Sequence, residues 1–148
     1  IKEPTTDKLL PDPLPAPYQP PYTLAIEMSG ILLNPEWTSE TGWRYEKRPG
    51  LDYFLKEIGY PVYEVVIYTK ETLWTATPVI DVMNAEHQIM YRLFRENTRF
   101  INGTYIKDLS RLNRDLKRII FLDWDEAAYS LQPRNALHHL KRWNGNDD

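Results

Sequence analysis

Short apolar runs alternate with helical patterns along most of the chain. Residues 22–27, 63–68 and 118–122 are rich in aliphatic and aromatic side chains, and each run has the length of a buried strand. Residues 51–58 and 71–84 instead repeat their apolar side chains at helical spacing. Strands that alternate with helices in this way predict an α/β fold, with a Rossmann-like parallel sheet covered by helices.

Two shorter runs after the first strand predict an inserted β-hairpin. They occupy residues 31–35 and 42–46, they flank a polar stretch, and Thr41-Gly42 lies near the expected turn. Pro49-Gly50 is typical of the start of the next helix, and Gly59 is typical of its end.

The second half of the chain gives weaker signals. Pro78 predicts a kink or a second start within the second helix. Residues 89–94 and 105–106 indicate shorter strands around an Asn102-Gly103 turn. Residues 131–143 hold at most one more short strand.

The first segment of the chain is rich in proline. Residues 1–21 carry seven of the chain's 12 prolines, a density that excludes a helix or a central strand. We expect an extended arm over residues 1–21, partly in the polyproline II conformation, followed by one domain over residues 22–148. Leu9, Leu10 and Leu14 are expected to dock the arm on the domain.

Composition narrows the function classes. A chain of 148 residues with 42% hydrophobic residues suits one packed domain, and a net charge of −3 gives no basic footprint for nucleic acid. The absence of cysteine excludes disulfides, thiolate metal sites and thiol catalysis. No apolar run approaches the roughly 18 residues that a membrane helix needs. Because the first residue is Ile rather than Met, we expect targeting or anchoring segments outside this fragment.

Three of the predicted strands end on polar side chains, at Glu27, Thr69 and Asp123. In open parallel sheets, ligands bind where the carboxyl ends of the strands meet. We therefore expect these side chains to line one crevice. The alternative is that each residue merely begins a solvated loop.

Five motifs follow one another along residues 22 to 143 in the order of a known superfamily. After the first strand and Glu27 come Arg48-Pro49-Gly50, Tyr68-Thr69, Lys107-Asp108-Leu109 with Asn113-Arg114-Asp115-Leu116, and Ile119-Ile120-Phe121-Leu122-Asp123. This order resembles the haloacid-dehalogenase superfamily, and within it the small C-terminal-domain phosphatases of RNA polymerase. The resemblance implies a haloacid-dehalogenase-type sheet with the β-hairpin inserted after the first strand.

The chain departs from this resemblance at the positions that carry the chemistry. Glu27 replaces the nucleophilic Asp, Ser29 replaces the general acid, Ile31 stands at the Thr or Val position, and Trp124 replaces a magnesium ligand. Misplacing a nucleophile by about 1 Å can cost about a hundredfold in rate. Losing a general acid typically costs about 10²–10⁴. We therefore expect a pseudophosphatase with no catalytic residues, no metal site and no cofactor.

Further segments resemble a narrower family, the receptor subunits of the mitochondrial inner-membrane presequence translocase. They are Asn34-Pro35-Glu36-Trp37, Thr41-Gly42-Trp43-Arg44, Lys47-Arg48-Pro49-Gly50, Tyr91-Arg92-Leu93-Phe94-Arg95, Asp108-Leu109-Ser110-Arg111-Leu112-Asn113, Leu131-Gln132-Pro133 and Trp143-Asn144-Gly145. The resemblance implies a domain in the intermembrane space, anchored in the inner membrane by segments outside this fragment. Its implied partners are the presequence peptides of imported preproteins and the channel subunit of the translocase.

Presequences are basic amphipathic helices, so their receptor needs acidic groups beside apolar surface. We expect presequence binding at Glu27, Asp108, Leu109, Leu112, Asp123, Trp124 and Asp125. The resemblance implies that the hairpin contacts the channel subunit through Trp43, Arg44 and Lys47, although a plain cover over the sheet edge is an equal alternative.

Two other functions stay open from the sequence. One is a residual magnesium-dependent phosphatase, and the other is a phosphopeptide-binding pseudophosphatase that uses Lys107 and Thr69 on phosphate. The plainer interpretation is that Thr69 caps a helix and that Lys107 pairs with an acidic neighbour.

Overall fold

The apolar runs form the strands of a parallel sheet in the computed structural model, which describes residues 8–84 and 87–145. The α-helices and strands in chain order are β1 (Thr23–Ile26), β2 (Leu33–Thr38), β3 (Gly42–Lys47), α1 (Leu51–Ile58), β4 (Glu64–Tyr68), α2 (Leu73–Met83), β5 (Ile89–Leu93), β6 (Arg99–Ile101), β7 (Thr104–Ile106) and β8 (Ile119–Leu122). Within the described residues the main sheet has four strands, in the order β5-β4-β1-β8.

Strand β1 lies between two parallel neighbours. Ile26 at its end is aligned with Ile67 of β4 on one side and with Leu122 of β8 on the other. Every residue of β1 and β4 is buried, as expected for central strands covered on both faces. This arrangement confirms the predicted α/β parallel sheet, and it brings the carboxyl ends of β1, β4 and β8 to one edge.

Side chains of the central strands alternate between two apolar cores. Ile26 and Ile67 point to the face covered by α1 and α2, where Leu55 and Ile80 are fully buried. On the other face, Ala25, Val66 and Phe121 pack with residues of the 109–112 loop and the arm. Because side chains alternate along a strand, one short run of apolar residues supplies both cores.

Helix α1 begins and ends as predicted. Gly50 precedes it with a φ of 84°, and the Gly59 amide donates to the Leu55 carbonyl oxygen at 2.8 Å. Helix α2 starts after Thr72, whose hydroxyl accepts from the Thr75 amide, and it continues through Pro78 without a break. The second start that Pro78 suggested is therefore not observed.

The predicted hairpin follows β1 and consists of β2 and β3, paired in regular antiparallel register. Trp37 lies opposite Trp43, and these two side chains are 59% and 67% exposed. The base of the hairpin is bonded to the loop after β1, because the Gly30 amide donates to Leu33 O at 2.7 Å and Arg48 N donates to Leu32 O at 3.0 Å. The hairpin therefore projects from a fixed base.

The later strands pair differently from the sequence-based prediction. The Asn102-Gly103 turn joins β6 to β7, whereas β5 runs parallel to β4 at the edge of the main sheet. A helical connection between strands favours this parallel pairing. Within the described part of residues 131–143 there is no strand, although Ala136 forms an isolated bridge with Phe121.

Residues 8–21 follow the surface without a helix or strand. Leu10 is 2% exposed and packs in the second core, and the Leu9 amide donates to the Arg111 carbonyl oxygen at 2.8 Å. Residues 1–7 and 146–148 lie outside the described residues, and the division into an arm and a domain at residue 22 stays a prediction. In the portion of the chain that is described, no helix is both long and apolar enough to cross a membrane.

Candidate functional site

The carboxyl edge of the sheet brings Glu27 and Asp123 together around a buried lysine. The ammonium of Lys107 lies 3.0 Å from Glu27 Oε1 and 2.6 Å from Asp123 Oδ2. Neither Lys107 nor Asp123 exposes any of its side chain to solvent. We call these three residues the ion-pair cluster, and it lies at the carboxyl edge of the sheet, where the strand ends were expected to meet.

Glu27 is held from several sides. Its Oε2 accepts from the Met28 amide at 2.6 Å and from the Ser29 amide at 3.3 Å. Its Oε1 accepts from the Lys70 amide at 3.1 Å in addition to Lys107. The adjacent Thr69 hydroxyl accepts from the Glu71 amide at 3.1 Å in the turn before α2. The cap of α2 is Thr72, so the interpretation that Thr69 caps a helix is wrong. Both carboxylate oxygens of Glu27 are therefore occupied by protein donors.

The pKa values of the two buried carboxyl groups are shifted in opposite directions. Burial opposes the charge on Glu27, but the Lys107 ammonium and hydrogen bonds from Thr69, Lys107 and Lys70 outweigh it, so the pKa of Glu27 is below its usual value. Burial raises the pKa of Asp123, and the neighbouring Glu27 charge adds to this rise despite Lys107. Asp123 is therefore the member of the pair that takes up a proton first as the pH falls.

A second ion pair lies beside the cluster and nearer to solvent, at a place that we call the mouth. Lys70 Nζ donates to Asp125 Oδ2, and the two side chains are 27% and 22% exposed. The ring of Trp124 lies beneath the Lys70 ammonium and also near the Arg142 guanidinium, each at 5.5 Å from the ring centroid. The mouth is therefore a place where a carboxylate and an indole ring hold cations.

Trp124 is fixed against the loop after β1. Its Nε1 donates to the Ser29 carbonyl oxygen at 2.9 Å. The hydroxyl of Ser29 is buried and has no hydrogen-bond partner among the described residues. Ser29, which the sequence resemblance places at the general-acid position, therefore carries an unpaired hydroxyl beside Trp124.

Three residues of the predicted presequence site do not form a surface. Leu109 and Leu112 are fully buried in the second core, beside Leu10 of the arm, so the prediction that they offer apolar surface is wrong. Asp108 is 5% exposed and accepts from Ser110, Gln132 and Arg99. It caps the turn that buries both leucines.

The remaining acidic residues also differ from the expectation of free carboxylates. Glu27, Asp123 and Asp125 each have an internal cationic partner, Lys107 or Lys70. Burial explains this pairing, because an unpaired carboxylate away from water is costly. Of the predicted site residues, Trp124 and Asp125 are the ones that the structure places at the mouth, with part of each side chain exposed.

Magnesium, which this fold implies, does not fit the donors present. The oxygens of Glu27 and Asp123 are occupied by Lys107 and by amide groups, and Trp124 provides no ligand oxygen from its side chain. Across residues 8–84 and 87–145, no three His, Cys, Asp or Glu side chains converge in a way that could hold a metal ion. The described residues therefore support no metal-dependent step at this edge.

The hairpin residues predicted to contact a channel subunit divide between two faces. Trp43 and Lys47 share one face of β3, and Arg44 lies on the other, opposite Glu36. Lys47 Nζ approaches Asp52 of α1 at 3.6 Å. Arg44 and Lys47 therefore do not form one basic patch.

Two cations at the mouth were missed by sequence reasoning. Lys70 directly follows Thr69, so the strand-end argument could have been extended by one residue to include it. Arg142 had no signal in the sequence, because the fold of the final segment alone brings it to Trp124.

Comparisons with known proteins place the chain in a family. The family model described as NLI interacting factor-like phosphatase matches residues 22–148. The mitochondrial import inner membrane translocase subunit TIM50 of Caenorhabditis elegans is 53% identical over 149 residues, covering 100% of this chain and 33% of that protein. TIM50 of Homo sapiens is 50% identical over 149 residues, covering 100% of this chain and 42% of that protein. The chain thus spans about a third to two fifths of the length of these relatives.

Solved structures give the same fold. The RNA polymerase II CTD phosphatase Fcp1 of fission yeast, bound to beryllium fluoride, has a TM-score of 0.64 at 17% identity, covering 81% of this chain and 41% of that chain. Another structure of Fcp1 has a TM-score of 0.65, covering 82% and 42% of the two chains. This likeness confirms the predicted haloacid-dehalogenase-type sheet. Since the family model covers all but the first 21 residues, the chain belongs to the NLI interacting factor-like phosphatase family.

Proposed function

We propose that this chain is a phosphatase-like binding domain of a mitochondrial inner-membrane translocase subunit. On this proposal it lies in the intermembrane space, is anchored in the inner membrane through segments outside this sequence, and receives the basic amphipathic presequences of imported preproteins. Its similarity to TIM50 of several animals supports the setting. The recognition mechanism is supported by the charges at the carboxyl edge of the sheet.

The observation that carries the proposal is the partly exposed carboxylate of Asp125 beside the Trp124 ring at this edge. Three carboxylates, from Glu27, Asp123 and Asp125, lie here among three cationic groups, from Lys107, Lys70 and Arg142. A carboxylate near solvent attracts the arginine and lysine side chains of a presequence. Trp124 adds an aromatic face at the mouth, and the Lys70 ammonium already lies against this face.

The same geometry supports binding rather than phosphoryl transfer. Both oxygens of Glu27 accept hydrogen bonds from protein donors, so neither has a free lone pair directed at a substrate. Ser29 has no pKa suited to a general acid at neutral pH. The Trp124 side chain has no oxygen to offer at the position where the resemblance implies a magnesium ligand.

Phosphopeptide binding is the second candidate, and burial argues against it. Lys107 exposes none of its side chain and is shared by two carboxylates. Phosphate would have to displace Glu27 and Asp123 from this lysine and would leave both carboxylates buried without a partner. Breaking a buried ion pair in this way typically costs about 3–5 kcal/mol.

The exposed hairpin supports a second contact, with the channel subunit of the translocase. Trp37 and Trp43 form an exposed cross-strand pair on one face of the hairpin, and Arg44 lies on the other face. Tryptophan and arginine are enriched in the residues that contribute most to protein interfaces. We place the contact at Trp43, Arg44 and Lys47, with Trp43 as its centre.

Calorimetric titration tests the receptor function. The domain is titrated with a presequence peptide, with a scrambled peptide of the same composition that lacks the amphipathic period, and with a phosphopeptide, each with and without magnesium. We expect the presequence alone to bind, independently of magnesium and more weakly at high salt, because exposed charges are screened.

Two outcomes would overturn this function. The first is tighter binding of the phosphopeptide than of the presequence. The second is magnesium-dependent hydrolysis of an aryl phosphate that disappears in Glu27→Ala, which would restore the residual phosphatase.

A further inference from the structure

The mouth already contains a cationic side chain of the protein itself, that of Lys70. Lys70 Nζ donates to Asp125 and lies 5.5 Å from the centroid of the Trp124 ring. About a quarter of each of the Lys70 and Asp125 side chains is exposed, so the pair is within reach of a partner from solvent. A carboxylate beside an aromatic face is a complete site for one cationic group.

The partly buried surroundings of Lys70 disfavour its charged form. Burial lowers the pKa of Lys70, and the charge of Lys107 lowers it further, although Asp123 and Glu27 act in the opposite direction. Lys107 cannot move away, because it is enclosed and bonded to two carboxylates. Of the two lysines, Lys70 is therefore the one whose side chain a partner from solvent can displace.

The backbone of Lys70 is held independently of its side chain. Its amide donates to Glu27 Oε1 at 3.1 Å, and its carbonyl oxygen accepts from Arg95 Nε at 2.8 Å. The side chain can therefore rotate out of the mouth while the end of β4 stays in place. Releasing Asp125 requires a change of rotamers and no rearrangement of the backbone.

We propose that Lys70 is an internal placeholder, which an arginine of an incoming basic segment displaces in order to bind Asp125 and stack on Trp124. This inference rests on the proposed receptor function, and it specifies the group that is recognised and the residues that select it. Lys70 thereby lowers the affinity for every incoming cation, so a group has to bind better than an ammonium in order to displace it.

Arginine satisfies this condition better than lysine. A guanidinium is planar, binds a carboxylate through two parallel N–H groups and stacks on an indole face, whereas an ammonium is a compact and strongly hydrated charge. Arg142 already places a guanidinium 5.5 Å from the centroid of the Trp124 ring. The ring therefore accepts this group in the folded protein.

Two variants and one matched peptide pair test the placeholder. Lys70→Met keeps the apolar stem and removes the charge, and Asp125→Asn removes the carboxylate. Each is titrated with a presequence peptide and with its copy in which every arginine is replaced by lysine. Lys56→Met is the matched control, because it removes the same charge from an exposed position on α1.

For wild type we expect tighter binding of the arginine peptide than of the lysine peptide. Lys70→Met should strengthen binding of the arginine peptide by about threefold to fivefold, since one partly exposed ion pair no longer competes. Asp125→Asn should weaken it by about tenfold and remove the preference for arginine, because a charge-assisted hydrogen bond is lost. Lys56→Met should change neither the preference nor the affinity to the extent of Lys70→Met.

The outcomes separate the placeholder from the receptor function. Presequence binding by wild type together with unchanged or weaker binding by Lys70→Met would overturn the placeholder and leave the receptor function intact. Equal gains in Lys70→Met and Lys56→Met would also overturn it, because they would reveal a general charge effect. If neither wild type nor Lys70→Met binds either peptide, both proposals fail. Circular dichroism of each variant confirms that the domain is folded.

Discussion

Gly30 is the residue at which the loop after β1, Trp124 and Arg142 meet. Its φ is +87°, in the left-handed region that favours glycine. A Cβ at this position would lie 2.5 Å from Trp124 Nε1 and 2.7 Å from Arg142 Cγ. Its carbonyl oxygen also accepts from the Trp143 amide at 2.7 Å. The position of the Trp124 ring therefore requires that residue 30 has no side chain.

Gly30→Ala should destabilise the domain more than Gly103→Ala does. Gly103 is the matched control, because its φ of +78° imposes similar backbone strain while nothing lies within 4 Å of its Cβ position. The additional cost should be about 1–3 kcal/mol, the range for overpacking. Denaturant unfolding measures this difference, and the indole N–H resonance of Trp124 reports its displacement. Equal costs for the two variants would show that the crowding at Gly30 relaxes freely.

The hairpin is the element that carries exposed aromatic side chains away from the sheet. Its two strands pair without a bulge, so residues on β3 alternate strictly between its faces. Trp43 and Lys47 therefore belong to one face, and Arg44 belongs to the other. A partner that contacts all three residues has to cover the hairpin from both sides.

Trp43→Ala should weaken binding of the channel subunit by at least about tenfold, since a central aromatic residue of an interface typically contributes 2 kcal/mol or more. Arg44→Glu should weaken it as well and should increase its dependence on salt. Tyr53→Ala is the control, because Tyr53 is 70% exposed on α1 outside the hairpin. The affinity is measured by calorimetry with the soluble segment of the channel subunit. Unchanged affinity in both hairpin variants would remove the hairpin from the interface.

At the scale of the whole molecule, the two edges of the sheet carry different charged groups. At the end of the sheet opposite the carboxyl edge, Glu64 at the start of β4 accepts from Arg114 Nε and Nη2, both at 2.8 Å, and from the Thr23 hydroxyl at 2.7 Å. Arg114 Nη1 also donates to the Pro11 carbonyl oxygen at 2.7 Å. This pair joins the arm to the two central strands and contributes to stability rather than to binding.

Glu64→Gln should make the stability of the domain less sensitive to acid. Burial opposes the charge on Glu64, but hydrogen bonds from Arg114 and Thr23 outweigh it and hold the pKa below the ordinary value of 4.5. A lowered pKa adds stability that is complete above the ordinary value and is lost as the pH falls through the lowered one. At about pH 7 the variant should lose about 3 kcal/mol, the cost of breaking a buried pair. As the pH falls below the lowered pKa of Glu64, the two proteins should converge in stability.

Urea unfolding of wild type and Glu64→Gln at several pH values gives this comparison. The matched control is Glu57→Gln, which neutralises an exposed carboxylate on α1. A constant difference between wild type and Glu64→Gln across the pH range would contradict the assignment of the ion pair as the source of acid sensitivity.

Part of the candidate site followed from the sequence because it depends on local order along the chain. Glu27, Thr69 and Asp123 each end an apolar run, and parallel strands bring such ends together whatever the details of packing. The hairpin and the cap of α1 at Gly59 were predictable for the same reason, since turn residues act on their immediate neighbours. Family membership also followed, because the order of the motifs survives in the linear chain.

The partners of these residues were decided by the tertiary structure. Lys107 meets Glu27 across 80 positions of sequence, and Lys70 meets Asp125 across 55. The sequence predicted that Leu109 and Leu112 offer apolar surface, whereas in the fold both are buried in one core with Leu10 of the arm. Pairing and burial depend on where distant segments dock, and no local pattern records this. The sequence by itself therefore determined which acidic groups gather at the edge, and the fold alone decided which cations already hold them.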